Sequence, residues 1–184
     1  MASHEVVRLK GLLTNFLEFA RPQTPRIIAS EIYLLLESVA MLASRTATMA
    51  NVVVRVMSEE ALPPVSVDPE QIKQVLLNLV INAIQATPSG GQISLRANRD
   101  GDWVRVEVED EGIGIPAEDM ERVFDPFFTT RSNGTGLGLS ISYQIVSQHG
   151  GHIATRRNPE RGMTFSVTLP VFQTAAVDSV ANSR

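Results

Sequence analysis

The 184-residue sequence has no cysteine, a single tryptophan and only 5% aromatic residues. The missing cysteine excludes disulfides and thiolate metal sites, and it fits a reducing compartment. No charge of one sign dominates. The formal net charge is -4 and no dense basic patch exists, which disfavours nucleic acid as a partner. No apolar run reaches the ~20 residues of a membrane span. The longest, Ile32–Ala43 and Val75–Ile84, are interrupted by Glu37, Asn78 and Asn82. No signal peptide is visible, so the expected location is cytoplasmic, with any membrane link running through segments outside this sequence. Two phosphate-binding signatures are also missing. There is no G-x-x-x-x-G-K-S/T, and no G-x-G-x-x-G follows a strand.

What is present is ordinary for a globular protein, 43% hydrophobic and 20% charged. Residues 4–21 predict a helix: Val6, Leu9, Leu13, Phe16 and Ala20 recur at spacings of 3, 4, 3 and 4, a heptad seam that needs a partner helix. Arg21-Pro22 ends it and sets a first boundary. Residues 1–22 are therefore expected to be one partial unit, 23–172 a second, and the small polar stretch 173–184 a disordered tail. Within the second unit, 31–47 reads as an amphipathic helix, 51–56 as a strand and 63–68 as a turn and short strand. Asp68 suits a helix N-cap and Pro69 the first helical position of a helix running to Ala86. "QISLRANR" and "WVRVEVED" alternate with period 2 about Asp100-Gly101, a hairpin signal. A glycine-rich irregular stretch (111–136) precedes a helix over about 137–149, and "GHIATRR" and "MTFSVTLP" close a second hairpin. Paired strands with helices between them predict an α+β, two-layer sandwich with a mixed, mostly antiparallel sheet.

Three features carry chemistry. Wound at ~100° per residue, 69–86 has apolar residues on two sides (Ile72, Val75, Leu76, Leu79, Ala83, Ala86; Leu77, Val80, Ile81, Ile84). Between them lies a stripe of amides: Gln71, Gln74, Asn78, Asn82 and Gln85. Asn78 and Asn82 are i,i+4 neighbours. The stripe is either solvated or a site for a hard cation such as Mg2+ that shares phosphate oxygens. Val104, Val106 and Val108 face the core, so Asp110 lies at a core-facing strand end with no partner implied locally. It either caps the following turn or accepts from a ligand amine, as adenine N6 offers and guanine O6 does not. Gly134, Gly136 and Gly138 lead into a helix whose N-terminal amides suit an anion or simply mark a turn. "FDPFFTTR" before them suggests a hinge anchored by aromatic packing, with Thr129, Thr130 and Arg131 on the moving part.

Together these stretches resemble the sensor histidine kinases. "QVLLNLVINAIQA" looks like their N box, "DEGIGI" their first glycine box, "FDPFFTT" their F box and "GTGLGLS" their second glycine box, in the same order. The resemblance runs to about Pro170. It implies a Bergerat-type ATP-binding fold with a flexible lid, within a superfamily that includes gyrase-type ATPases, heat-shock chaperones and anti-sigma kinases. It implies that Asn78 and Asn82 hold Mg2+ and phosphate oxygens. Asp110 would take adenine N6, with Gly112 and Gly114 admitting the base. Gly134, Gly136 and Gly138 would hinge the lid, Leu137 and Gly138 would offer amides to phosphate, and Arg131 would reach the terminal phosphate. Gln85, Ile115, Phe124, Thr129, Thr130, Thr135 and Leu139 fall in the same nucleotide site. "GMTF" departs from the Gly-Thr often found there. Gln74 stands where gyrase-like members carry a water-activating glutamate; Gln cannot act as a general base, whereas phosphoryl transfer needs mainly positioning and charge neutralisation.

"RLKGLLTNFLEFARP" is similar to the second helix of the kinase dimerisation hairpin. His4-Glu5 lacks the proline of the phosphoacceptor context, so no phosphoacceptor is assigned to this sequence. The implied activity is transfer of the ATP γ-phosphoryl to a histidine on the missing hairpin helix, for relay to an aspartate of a response-regulator receiver domain, in a full-length homodimer. An anti-sigma serine kinase, or a nucleotide-switched binding module, is the alternative.

Overall fold

The computed structural model describes residues 24–57, 62–131 and 134–173. The predicted helix over 4–21, His4 and the tail from 174 onward lie outside the described residues. The elements are β1 (Ile28–Ser30), α1 (Ile32–Ala50), β2 (Val53–Val56), β3 (Val65–Val67), α2 (Pro69–Ala86), β4 (Gln92–Asp100), β5 (Trp103–Asp110), α3 (Gly138–Gln148), β6 (His152–Arg157) and β7 (Met163–Pro170). A short 3-10 turn, Ala117–Asp119, interrupts the loop before α3.

The main sheet has five strands in the order β2-β4-β5-β7-β6. Only β2 and β4 run parallel; the other neighbours are antiparallel. The expected mixed, mostly antiparallel sheet is thus present. β4 and β5 form the predicted hairpin, but Asp100 already pairs with Trp103, so the two turn residues are Gly101, with φ +63°, and Asp102. A strand went unread in the sequence. β1 pairs antiparallel with β3, Ile28 opposite Val67, in a separate two-stranded sheet. Three residues are too short to show a period, and their partner lies far along the chain.

One face of the sheet is apolar. Ile93 and Leu95, Val104 to Val108 at alternate positions, and Val167 and Leu169 are buried beneath the helices. Each such side chain contributes about 1.5–3 kcal/mol by leaving water. α2 is the central helix, packed between α1 and α3 and against β5. Its two apolar sides explain that place: Ile72, Val75, Leu76 and Leu79 are fully buried, and so are Val80 and Ile84 on the second side. Asp68 caps α2 as expected, accepting from the N–H groups of Glu70 and Gln71 at 3.0 and 3.4 Å. The cap fixes where α2 starts, and so the direction in which Asn78 and Asn82 leave it. Among the described residues no helix is long and apolar enough to cross a membrane.

Candidate functional site

A cavity of about 690 Å³ opens between α2, the end of β5, the start of β7, the start of α3 and loop residues between 113 and 131 and from 134 to 136. Asn78, Asn82 and Gln85 line one wall, from three successive turns of α2. Asp110, Met163 and Phe165 line the floor, with Gly114 and Ile115 beside them. Thr129, Thr130, Arg131, Gly134, Thr135 and Gly136 form the rim, and Gly138 and Leu139 complete it from α3.

Asp110 is 2% exposed, yet it is not without protein partners. Its Oδ1 accepts from Gly112 N–H at 2.8 Å and Met163 N–H at 3.2 Å. Of the two readings, the turn cap is therefore realised on Oδ1: the chain turns back after β5 and delivers the Gly112 amide, a local partner where none was implied. No hydrogen bond reaches Oδ2 among the described residues. Burial pushes the carboxyl above its ordinary range, and the two N–H groups and the positive Arg131 oppose that rise.

The amide wall is also engaged. Asn82 Nδ2 donates to Asn78 Oδ1 at 3.5 Å, and Asn78 Nδ2 donates to Ser142 Oγ at 3.0 Å. The two amides adjoin as expected, and they meet as donor and acceptor. Arg131 covers the rest. Its guanidinium donates to Asn82 Oδ1 at 3.1 Å, to the Asn82 carbonyl at 2.9 Å and to Gln85 Oε1. Desolvation lowers the Arg131 pKa, and the nearby Asp110 offsets part of that. A cationic group is thus already held on neutral oxygen donors. A hard divalent cation would find the same donor chemistry there.

The three glycines of "GTGLG" each make room for the protein itself. A Cβ on Gly134 would lie 2.3 Å from Thr129 Oγ1, one on Gly136 2.3 Å from the Phe127 carbonyl carbon, and one on Gly138 2.6 Å from Asn78 Oδ1. Gly136 O also accepts from Phe127 N–H at 2.9 Å. The aromatic stretch and the glycines are therefore held backbone to backbone. Phe127 itself has a positive φ of 66°, which is strained for a bulky residue.

The model of the family described as "Histidine kinase-, DNA gyrase B-, and HSP90-like ATPase" matches residues 67–173, more than half of the chain. The chain belongs to this ATPase family. It is 38% identical over 167 residues to the sensor histidine kinase ZraS of Escherichia coli (strain K12), covering 91% of this chain and 36% of that protein. Among solved structures it resembles full-length ShkA in complex with AMPPNP (TM-score 0.81, 29% identity, covering 91% of this chain and 37% of that one). It also resembles histidine kinase ThkA in complex with the response regulator TrrA (TM-score 0.79, 33% identity, 92% and 49%). The chain thus spans about a third of the length of ZraS.

Within this family's frame, three expected site residues stand outside the cavity lining. A Cβ on Gly112 would meet Asp110 Oδ1 at 2.7 Å and Ala86 O at 2.8 Å; its smallness lets the turn after β5 pack on the end of α2. Phe124 lies against Tyr143, ring centres 5.9 Å apart and planes tilted by 41°. Leu137 is buried, and its N–H is taken by Thr135 Oγ1 at 3.2 Å. Sequence reading missed the contribution of the β6–β7 loop and the start of β7. Asn158, Gly162, Met163 and Thr164 all converge on Asp110 or on one another. The one available signal was "GMTF", where the departure drew notice but its geometry could not be read.

Proposed function

We propose that this chain is the ATP-binding catalytic domain of a sensor histidine kinase. The observation that carries the reading is the Asp110 carboxyl at the cavity floor: Oδ1 accepts from two backbone N–H groups, and among the described residues Oδ2 has no hydrogen bond. An acceptor in that state selects a ligand donor, as the adenine N6 amine is, and repels guanine O6. Across the cavity Asn78 and Asn82 would hold Mg2+, which supplies charge neutralisation on the phosphates. Arg131 would turn from Asn82 toward the terminal phosphate. Gly114 admits the base, and the rim residues Thr129, Thr130 and Thr135 close over the phosphates.

Gln74 is exposed and offers no general base to water. The site therefore favours transfer over hydrolysis. The acceptor is a histidine nitrogen on the dimerisation hairpin: it bonds to the γ-phosphorus as the bond to the β-phosphate oxygen breaks, and ADP leaves. The phosphoryl group then passes to an aspartate of a response-regulator receiver domain. The parent is a homodimer, with this domain in the cytoplasm.

Calorimetry tests the site. ATP binds in preference to GTP, and Asp110→Asn and Asn82→Ala each weaken ATP binding strongly; unchanged affinity in both variants refutes the assignment. Adding a separate hairpin domain and labelled ATP tests the chemistry: phosphohistidine is the expected product, and phosphoserine on an added protein partner points to the anti-sigma class.

A further inference from the structure

The ladder between β5 and β7 ends at the pair Glu109–Thr164. Asp110 lies one residue beyond it, so regular pairing on that side no longer holds the acid in place. The β6–β7 loop takes over. Met163 N–H goes to the Asp110 carboxyl. The Asp110 backbone carbonyl accepts instead from Asn158 Nδ2 at 3.2 Å. Asn158 is itself fixed. It is 9% exposed, its N–H donates to Gly162 O at 3.0 Å, and its Oδ1 accepts from Thr164 Oγ1 at 2.6 Å and from Arg156 at 3.3 Å.

Strand alternation explains this arrangement. Met163 and Phe165 face the cavity, so Thr164 faces the opposite side, where it is 1% exposed. Its hydroxyl can reach only what lies behind the site, and Asn158 lies there. Gly162 completes the grip. With φ +82° it presses so close that a Cβ would lie 1.9 Å from the Asp110 carbonyl oxygen.

We infer that Asn158, held by Thr164, is a positioning residue that sets the direction of the Asp110 carboxyl toward the base of the nucleotide. This rests on the proposed reading of Asp110 as the acceptor for a base amine. Asn158 is not among the residues that line the cavity. It fixes the backbone carbonyl of Asp110 and the turn that delivers Met163 N–H to the carboxyl. With both anchors in place, Oδ2 points at one fixed donor position. Loss of either anchor leaves a cavity of the same volume with an acid free to turn within it.

The test compares ATP with inosine triphosphate, which carries a carbonyl oxygen in place of the amine. The variants are Thr164→Val, Thr164→Ser and Asn158→Asp. In Asn158→Asp an oxygen replaces the donor facing the Asp110 carbonyl. Thr164→Val and Asn158→Asp are expected to bind ATP about tenfold more weakly, the worth of one hydrogen bond, and inosine triphosphate unchanged. Discrimination then falls about tenfold, and Thr164→Ser restores it. A purely structural role would weaken both nucleotides equally, and that result overturns the inference, as does unchanged discrimination in both variants. Should Asn158→Asp fail to fold by circular dichroism, Thr164→Val decides. Asp110→Asn separates the two levels. If it leaves ATP affinity intact, the base reading falls and this role with it. If it abolishes binding while Thr164→Val keeps full discrimination, only the positioning role falls.

Discussion

The guanidinium of Arg131 holds Asn82 at two points, the side-chain Oδ1 at 3.1 Å and the backbone carbonyl at 2.9 Å. With Asn82 as the proposed magnesium ligand, a monovalent cation occupies the oxygen that the divalent one needs. Both cannot sit there, because like charges at that separation repel. Arg131→Ala is therefore expected to lower the Mg2+ concentration that half-saturates the nucleotide-free protein, by about tenfold for one charge-assisted hydrogen bond. A magnesium titration without nucleotide, where the proposed contact of Arg131 with the terminal phosphate plays no part, reads this directly. An unchanged or raised midpoint would mean that Arg131 does not compete for Asn82.

Gly138 offers a way to disturb the amide wall without disturbing the fold. It is the first residue of α3 and does not have a positive φ, so alanine is allowed there and is the better helix former by about 0.5–1 kcal/mol. The added Cβ would lie 2.6 Å from Asn78 Oδ1 and must push that side chain aside. Gly138→Ala is expected to unfold at the same denaturant concentration or a higher one, yet to bind Mg-ATP about tenfold or more weakly. Equal losses in stability and binding would show that Gly138 serves the fold alone.

The contrast between those two residues shows what the sequence could disclose. α2 was legible to the residue, because Asp68 and Pro69 start it and its apolar positions repeat at helical spacing. Asn78 and Asn82 could be placed together by that spacing alone. Asp110 followed from strand parity, since Val104, Val106 and Val108 fix which side it faces. What escaped reading is contact over long separations. Nothing local ties Arg131 to Asn82, Asn158 to Asp110, or Gly138 to Asn78. Each pair meets only once the sheet and α2 are assembled. The glycines illustrate the same limit: their sequence left open an anion site or a turn, while in the fold each meets another part of the chain.

Two glycines with similar backbone and different surroundings separate strain from collision. Gly101 and Gly162 have φ of +63° and +82°. Among the described residues nothing lies within 4 Å of a Cβ on Gly101, whereas one on Gly162 would overlap the Asp110 carbonyl. Gly101→Ala is expected to cost about 1 kcal/mol, the conformational term alone. Gly162→Ala is expected to cost about 3 kcal/mol or more, since backbone must move. Urea denaturation of both variants tests the difference, and equal losses would mean that the β6–β7 loop yields easily.

Asp68 and Asp110 have pKa values displaced in opposite directions, and stability should follow each in its own sense. Burial raises Asp68, but the N–H groups of Arg26, Gln71 and Glu70 outweigh it and leave the carboxyl below 3.8. Its stabilisation is present above that pH and is lost as pH falls through the native value. Asp68→Ala is then expected to cost about 1 kcal/mol at neutral pH, a lost cap, and progressively less in acid. Asp110 is held above 3.8, chiefly by burial. The native state binds the extra proton, so stability declines as pH rises from 3.8 through the native value, and the penalty is complete at neutral pH. Asp110→Asn keeps an oxygen for the Gly112 and Met163 amides and removes that penalty. It is expected to be more stable than the parent chain at neutral pH, with the gain vanishing below about pH 3.8, while its ATP binding is lost. Denaturation curves at neutral and acid pH, read beside nucleotide titrations, check both. An Asp110→Asn chain that is less stable at neutral pH would show that the ionised carboxylate supports the fold, and would place its cost elsewhere.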